Sequence, residues 1–310
     1  MPDESVANVG QSYLGGLEKA RVREQCWLPL LRQRKADVGG RIKYLTLPGR
    51  QLTEIKALID TQHDPIIEGL DDLIFVEREI MDYYTVLRDA PLLAFRSRVE
   101  PAVVIHGDIN DLIRGGKLDE FLPIDAVNLD YCGFFWGTEN IATTKWNAVK
   151  RLIEVQAEHS RGSSPRPFTL LLTIQGRGDG SNSIAGALQE YKDDVGEEWG
   201  QIAAYPYHGK LVYALPLMVI HAGYRLGYEV KCTHRYVYRP DSVGGRAKML
   251  AFGFNFDLPA PISDALSLTR QLFTLEQSHC REVLTTKPIH LTYDAQTQEL
   301  GESFFDPTTS

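Results

Sequence analysis

The chain has 310 residues, 43% of them hydrophobic and 24% charged, with a formal net charge of −8. That length and apolar content suffice for a large buried core and exclude a disordered, collagen-like or low-complexity chain. The acidic balance excludes a protein that coats nucleic acid by bulk charge alone.

No apolar run reaches the roughly 18 residues of a membrane span. The start, MPDESVANVGQ, has neither the basic nor the apolar region of a signal peptide. Cys26, Cys132, Cys232 and Cys280 are far apart and form no CxxC, which excludes a disulfide framework or zinc ribbon. They read as reduced thiols of a cytoplasmic protein. No spacing of His and Cys makes a four-ligand metal site, so no metal is expected. The charge is uneven. Residues 17–43 carry eight Lys/Arg against three acids, and residues 205–250 carry seven against two. Each nets +5, which leaves −18 for the remainder. Solvated faces account for such runs, and so does a local basic patch for phosphates.

In chain order, the spacing of Leu14, Leu17, Val22, Trp27, Leu30 and Leu31 predicts a helix over 12–35. A strand follows at 42–47, stopped by Pro48-Gly49, then a helix at 51–61. The alternation repeats: strand 73–76, helix 79–88, strand 102–105, helix 109–119, strand 124–129, helix 141–159, strand 168–174. Two further helices are predicted at about 183–199 and 210–226. Residues 228–239 and 248–256, joined by the turn PDSVGG, then read as an antiparallel hairpin. A helix at about 262–279 and a tail with one short strand complete the chain. The coarse division is an N-terminal helical segment 1–40, a Rossmann-like body 41–260, and a C-terminal helix and tail 261–310.

Five apolar strands alternating with helices predict an α/β fold: a doubly wound, mostly parallel sheet with right-handed crossovers. A parallel sheet that ends in an antiparallel hairpin resembles the class I S-adenosylmethionine-dependent methyltransferases. The resemblance spans about residues 12–257 and implies a mostly parallel seven-stranded sheet whose last strand inserts antiparallel.

Ligands of open α/β sheets bind outside the carboxyl ends of the strands. After strand one stands Thr46-Leu47-Pro48-Gly49, where the family carries an acidic residue and several glycines; here there is one glycine and a proline. After strand two stands Glu77, whose carboxylate can accept from both ribose hydroxyls, with Glu79 as the near alternative. After strand three comes His106-Gly107-Asp108. Asp108 matches the family's adenine-contacting position and also suits a helix N-cap. His106 stands where a general base could act.

After strand four comes Asn128-Leu129-Asp130-Tyr131-Cys132-Gly133. It resembles the D-P-F/Y-G of tRNA guanine-N2 dimethyltransferases, with tyrosine in place of proline. The resemblance implies that Asp130 holds the target amine and that Tyr131, or an aromatic of Phe134-Phe135-Trp136, stacks on the base. Under strict core packing, the same aromatics simply sit beneath the next helix. After strand five, Gln175–Ser181 carries three glycines and Arg177. This is a turn, or a loop with an arginine facing a phosphate; it lacks the Gly-Lys-Ser/Thr of a P-loop.

The resemblance therefore implies a methyltransferase-like protein acting on an amine of a nucleic acid or nucleotide. Thr46, Gly49, Glu77 and Asp108 would hold S-adenosylmethionine, and Asp130 and Tyr131 the acceptor. The segments 17–43 and 205–250 would meet nucleic-acid phosphates. The alternative is a non-catalytic subunit of the same fold that assembles with a protein partner, favoured by the glycine-poor loop after strand one. A nicotinamide-dependent enzyme is a third reading, opposed by the missing G-x-G-x-x-G and by the terminal hairpin. No membrane partner is expected.

Overall fold

The computed structural model describes residues 16–49, 52–59, 72–97, 103–135, 145–160, 166–176, 202, 204–239, 248–259, 265–294, 296–297 and 299–308. The first described elements are α1 (Leu17–Val22), a π-helical turn (Arg23–Trp27) and α2 (Leu28–Asp37). Pro29 has no N–H to give to the carbonyl four residues back, and it stands where the π turn returns to α-helix. The buried stripe of this helix is Val22, Cys26, Trp27, Leu30 and Leu31.

Then come β1 (Lys43–Thr46), α3 (Thr53–Ile59), β2 (Asp72–Glu77), α4 (Ile80–Ser97), β3 (Val103–His106), α5 (Ile109–Arg114), β4 (Ala126–Phe134), α6 (Lys145–Ser160) and β5 (Phe168–Gln175). The chain ends with α7 (Tyr207–Tyr224), β6 (Glu229–Tyr238), β7 (Met249–Asp257), α8 (Ala265–Thr285), β8 (Ile289–Asp294) and β9 (Glu299–Phe304).

Among the described residues the strands form one sheet in the order β3-β2-β1-β4-β5-β7-β6-β8-β9. The pairs from β3 to β5 are parallel. β7 lies between β5 and β6, antiparallel to both. This is the inserted antiparallel strand that the resemblance implies.

Among the described residues the sheet has nine strands rather than seven. The tail holds two strands rather than the one expected: β8 adds parallel to β6, and β9 folds back antiparallel on β8. The order reverses between β1 and β4, which opens a crevice at their carboxyl ends.

The period-two alternation of the strands separates two faces. On one face Tyr44, Phe75, Ala126, Leu171, Tyr236 and Ala251 pack against the N-terminal helix, α3 and α4. On the other, Leu45, Ile74, Val127, Leu172, Leu250 and Phe254 pack with α5, α6, α7 and α8. The result is a three-layer α/β/α sandwich. Gly253 lets the N-terminal helix come close: a Cβ there would lie 2.5 Å from Leu30 Cδ1 and 2.8 Å from Cys26 Sγ.

Several elements run longer than the sequence predicts, α8 to Thr285 among them. α4 passes through Pro91 to Ser97, and β4 continues past Leu129 to Phe134. The helix expected at 183–199 and the glycine loop from Arg177 to Ser181 lie outside the described residues.

Candidate functional site

The carboxyl ends of β2, β1 and β4 present polar side chains on the face that the N-terminal helix covers. Register ties them together: Thr46 pairs with Phe75 and with Asn128, and Glu77 pairs with His106. Asp130 and Thr173 stand opposite each other on β4 and β5. Counting by twos from Tyr44 and Ala126, Thr46, Asn128, Asp130 and Thr173 share that face.

The innermost group is Glu54 of α3. Its carboxylate accepts from the Tyr44 hydroxyl, from Thr46 Oγ1 at 3.1 Å and from Asn128 Nδ2 at 2.7 Å. Burial pushes its pKa up; the hydrogen bonds from Tyr44 and Asn128 pull it down, and the nearby Asp130 carboxylate adds to the rise. The network braces the turn between β1 and α3. In that turn Gly49 takes φ +60° and Leu52 φ +53°, a left-handed value that leucine rarely adopts.

Thr46 is fully buried and spends its hydroxyl on Glu54. It therefore faces the brace rather than the crevice. Glu77 ends β2 half-buried; one oxygen accepts from the backbone N–H of Glu79 at 3.0 Å. Burial raises its pKa, against the lowering effect of the Glu79 backbone N–H. Glu79 lies exposed beside Arg78.

Asp108 is the N-cap of α5, and its Oδ1 accepts from Asn110 N at 2.8 Å. Its other oxygen lies 3.9 Å from an Arg78 guanidinium nitrogen. His106 meets the Arg78 carbonyl at 3.1 Å and packs beside Tyr83. The backbone N–H of Gly107 donates to the Glu77 carbonyl, so the ends of β2 and β3 are tied together.

Asp130 and Tyr131 both belong to β4, so they point to opposite faces. Asp130 forms an ion pair with Lys19 of α1, both side chains mostly buried. Tyr131 lies on the other face, 3% exposed, and donates its hydroxyl to Asn110 Oδ1 at 2.9 Å. The Lys145 ammonium sits 4.9 Å from its ring centroid, and Phe135 meets it edge-on. Burial raises the Tyr131 pKa well above the phenol range. Of the other aromatics, Phe135 is buried in the core, while Trp136 and the Phe134 side chain lie outside the described residues.

Asn128 Oδ1, Asp130 Oδ1 and Thr173 Oγ1 are buried with no hydrogen-bond partner among the described residues. Buried polar atoms are normally paired. Asn128 and Asp130 lie on β4 beside the reversal of the sheet order, with Thr173 opposite Asp130 on β5, and the three mark a place that can accept hydrogen-bond donors. Among the described residues no three His, Cys, Asp or Glu side chains converge as a metal site. No helix among them is long and apolar enough to cross a membrane.

Sequence reasoning missed Glu54, Asn128 and Lys19. Glu54 left a signal: it lies on the apolar face of its helix, four residues before the buried Leu58. Asn128 left another, as a polar residue inside the run Ile124–Leu129.

The sequence matches no family model and no curated protein. Solved structures similar to this chain include human methyltransferase-like protein 13 in complex with SAH, at 14% identity and TM-score 0.33, covering 82% of this chain and 88% of that one. A modification subunit of a putative type I restriction enzyme from Vibrio vulnificus is 8% identical, with TM-score 0.37 over 83% of this chain and 50% of that one. The type I restriction enzyme EcoKI M protein is 10% identical, with TM-score 0.34, over 73% and 42% respectively. The chain thus spans about half the length of these two subunits. At such TM-scores the likeness decides neither substrate nor chemistry.

Proposed function

We propose that the chain is a methyltransferase-like protein that uses S-adenosylmethionine and acts on an amine of a nucleic acid or nucleotide. The observation that carries this reading is the pair of buried, donor-seeking oxygens, Asn128 Oδ1 and Asp130 Oδ1, at the reversal of the sheet. A primary amine supplies two N–H groups, and two acceptors on one face of a strand suit it.

The residues present fit the cofactor. The half-buried carboxylate of Glu77 suits ribose hydroxyls, Asp108 suits an exocyclic amine, and the turn at Gly49 allows close backbone approach. S-adenosylmethionine supplies an electrophilic methyl group. Thr46 serves this site indirectly, by holding Glu54 and hence the β1–α3 turn. Asp130 accepts an N–H of the acceptor amine and aims its lone pair, so that positioning supplies much of the rate. Tyr131 works from behind the strand, as a positioning residue anchored on Asn110. Lys19 holds Asp130 through Oδ2, which leaves Oδ1 for the amine. The basic segments 17–43 and 205–250 meet the phosphates of the acceptor.

Calorimetric titration with S-adenosylmethionine tests the reading. Binding is expected in the wild type, weakened about tenfold or more in Glu77→Ala, since two hydrogen bonds to a charged acceptor are worth about 1.5–3 kcal/mol each. Asp130→Ala should keep cofactor binding and lose transfer. The Lys19–Asp130 ion pair favours a second reading, a non-catalytic subunit with a protein partner, because it neutralises the Asp130 carboxylate from within. An absence of cofactor binding would move the assignment there.

A further inference from the structure

On the other face of the sheet, four cationic or protonatable side chains meet at the same carboxyl edge. In the β6–β7 ladder the outermost pair is Tyr238 with Met249. One step further out, Arg239 and Lys248 stand opposite each other. Alternation puts both on the face of Val237 and Leu250. His290 of β8 pairs with Val237 and shares that face.

His208, in the first turn of α7, brings its Nε2 to 3.0 Å from Lys248 Nζ. Phe305 is the hub of the group. The Lys248 ammonium lies 5.5 Å from its ring centroid, and the rings of His208 and His290 lie 5.8 and 6.0 Å away. Lys248 is 8% exposed, whereas Arg239 is open to solvent.

Like charges at opposed strand positions destabilise a sheet. Burial, and then the Arg239 charge, lowers the pKa of Lys248; burial, and then Lys248 and Arg239, lowers that of His290. The neighbouring carboxylate, Asp306, is fully exposed and accepts from Thr308 N and Oγ1. A bound dianion would be attracted by each of these groups. The α7 N-terminus, which has no side-chain cap, adds N–H groups of the same sign.

We propose that His208, Arg239, Lys248 and His290 form a phosphate-binding site for the backbone of the acceptor nucleic acid. The site abuts the carboxyl end of β5. Gly176 N donates to the Lys248 carbonyl at 2.7 Å, and a Cβ on Gly176 would meet His208 Cβ at 3.2 Å. Lys248 is two strands and three residues from Asp130, since Asp130 is level with Thr173 and Ala251. That is about 14 Å at ordinary sheet spacings. A phosphate held there belongs a few nucleotides from the amine held at Asp130. The nucleic-acid identity of the ligand rests on the function proposed above; the anion site itself does not.

The test compares the full chain with Lys248→Met and with Lys150→Met, a control at an exposed lysine of α6. Inorganic phosphate should raise the wild-type Tm saturably and move the His208 and His290 ring resonances. Lys248→Met should lose both responses while still unfolding cooperatively, with a phosphate-free Tm that reflects the lost His208 hydrogen bond and Phe305 contact. A labelled single-stranded oligonucleotide, followed by anisotropy, should bind Lys248→Met about tenfold more weakly, with a salt slope smaller by about one contact. Lys150→Met should match wild type throughout. A phosphate response that survives in Lys248→Met overturns the site. Phosphate binding without oligonucleotide binding overturns the nucleic-acid assignment. Titration with S-adenosylmethionine should be unchanged in Lys248→Met, so a failure of the cofactor reading shows separately.

Discussion

Removing Glu54 should destabilise the chain far more than neutralising it. In Glu54→Ala three donors lose their acceptor: the Tyr44 hydroxyl, Thr46 Oγ1 and Asn128 Nδ2. All three residues are at most 1% exposed, so water does not reach them. The Thr46 hydroxyl can rotate to a backbone carbonyl, but the other two are left unpaired. An orphaned buried donor costs about 1–3 kcal/mol, so the expected loss is about 2–5 kcal/mol. Glu54→Gln keeps the volume and one carbonyl oxygen, and should cost no more than about 1 kcal/mol. The sign of the pH dependence follows from burial, which raises the folded pKa of Glu54 above its unfolded value. The folded chain therefore binds the proton more tightly. This contribution is complete below the unfolded pKa and is lost as pH rises through the folded one. Wild type should gain on Glu54→Gln as pH falls through this window. Urea unfolding of the three proteins across pH 4 to 8 would show it. Equal destabilisation by alanine and glutamine, or a wild-type-to-glutamine difference flat with pH, would refute the reasoning.

Four further outcomes are expected. Gly253→Ala pushes a methyl group into Leu30 and Cys26 and should cost about 1–3 kcal/mol, with faster amide exchange along α1 and α2. Gln156→Leu strips both hydrogen bonds from the backbone of Ile124, at 2.9 and 2.6 Å, and should cost about 2–4 kcal/mol by denaturant titration. Asp108→Ala removes the cap of α5 and should cost about 0.5–2 kcal/mol; if Asp108 also meets adenine, the cofactor Kd rises more than in an Asp119→Ala control. Burial lowers the folded pKa of His234, His279 and His290. Their stabilising share is full above about pH 6.5 and is lost on acidification below it, so His279→Gln should flatten the stability curve between pH 7 and 5.

The core of the fold was legible because parallel strands buried on both faces read as unbroken apolar runs, such as Phe168–Ile174. The hairpin of β6 and β7 was legible from its turn. Of the two tail strands only one was. β9 is an edge strand with almost every side chain exposed, so Glu299–Phe304 carries no apolar alternation for a reader to find. β8 buries only Leu291 deeply. Burial supplies the pattern by which strands are recognised, and at the edge of a sheet burial fades.

For the candidate site, the strand ends could be read from the sequence but the direction of their side chains could not. A strand that stops at Leu129 leaves Asp130 and Tyr131 in a loop, free to converge on one acceptor. A strand that continues to Phe134 sets them on opposite faces, one against Lys19 and the other against Asn110. The two basic segments are divided by the same rule. Lys19 lies on the face of Asp130, and Lys248 and Arg239 lie on the face of Tyr131, yet all three stand at the carboxyl edge. A nucleic acid whose amine sits on one face could therefore run over the rim of the sheet and leave a phosphate on the other. The net +5 of segment 17–43 is not gathered there, since Arg41 meets Asp72 and Arg34 meets Asp257 at the amino edge; what the carboxyl rim offers a polyanion is the local cluster around Lys248, on a chain of net charge −8.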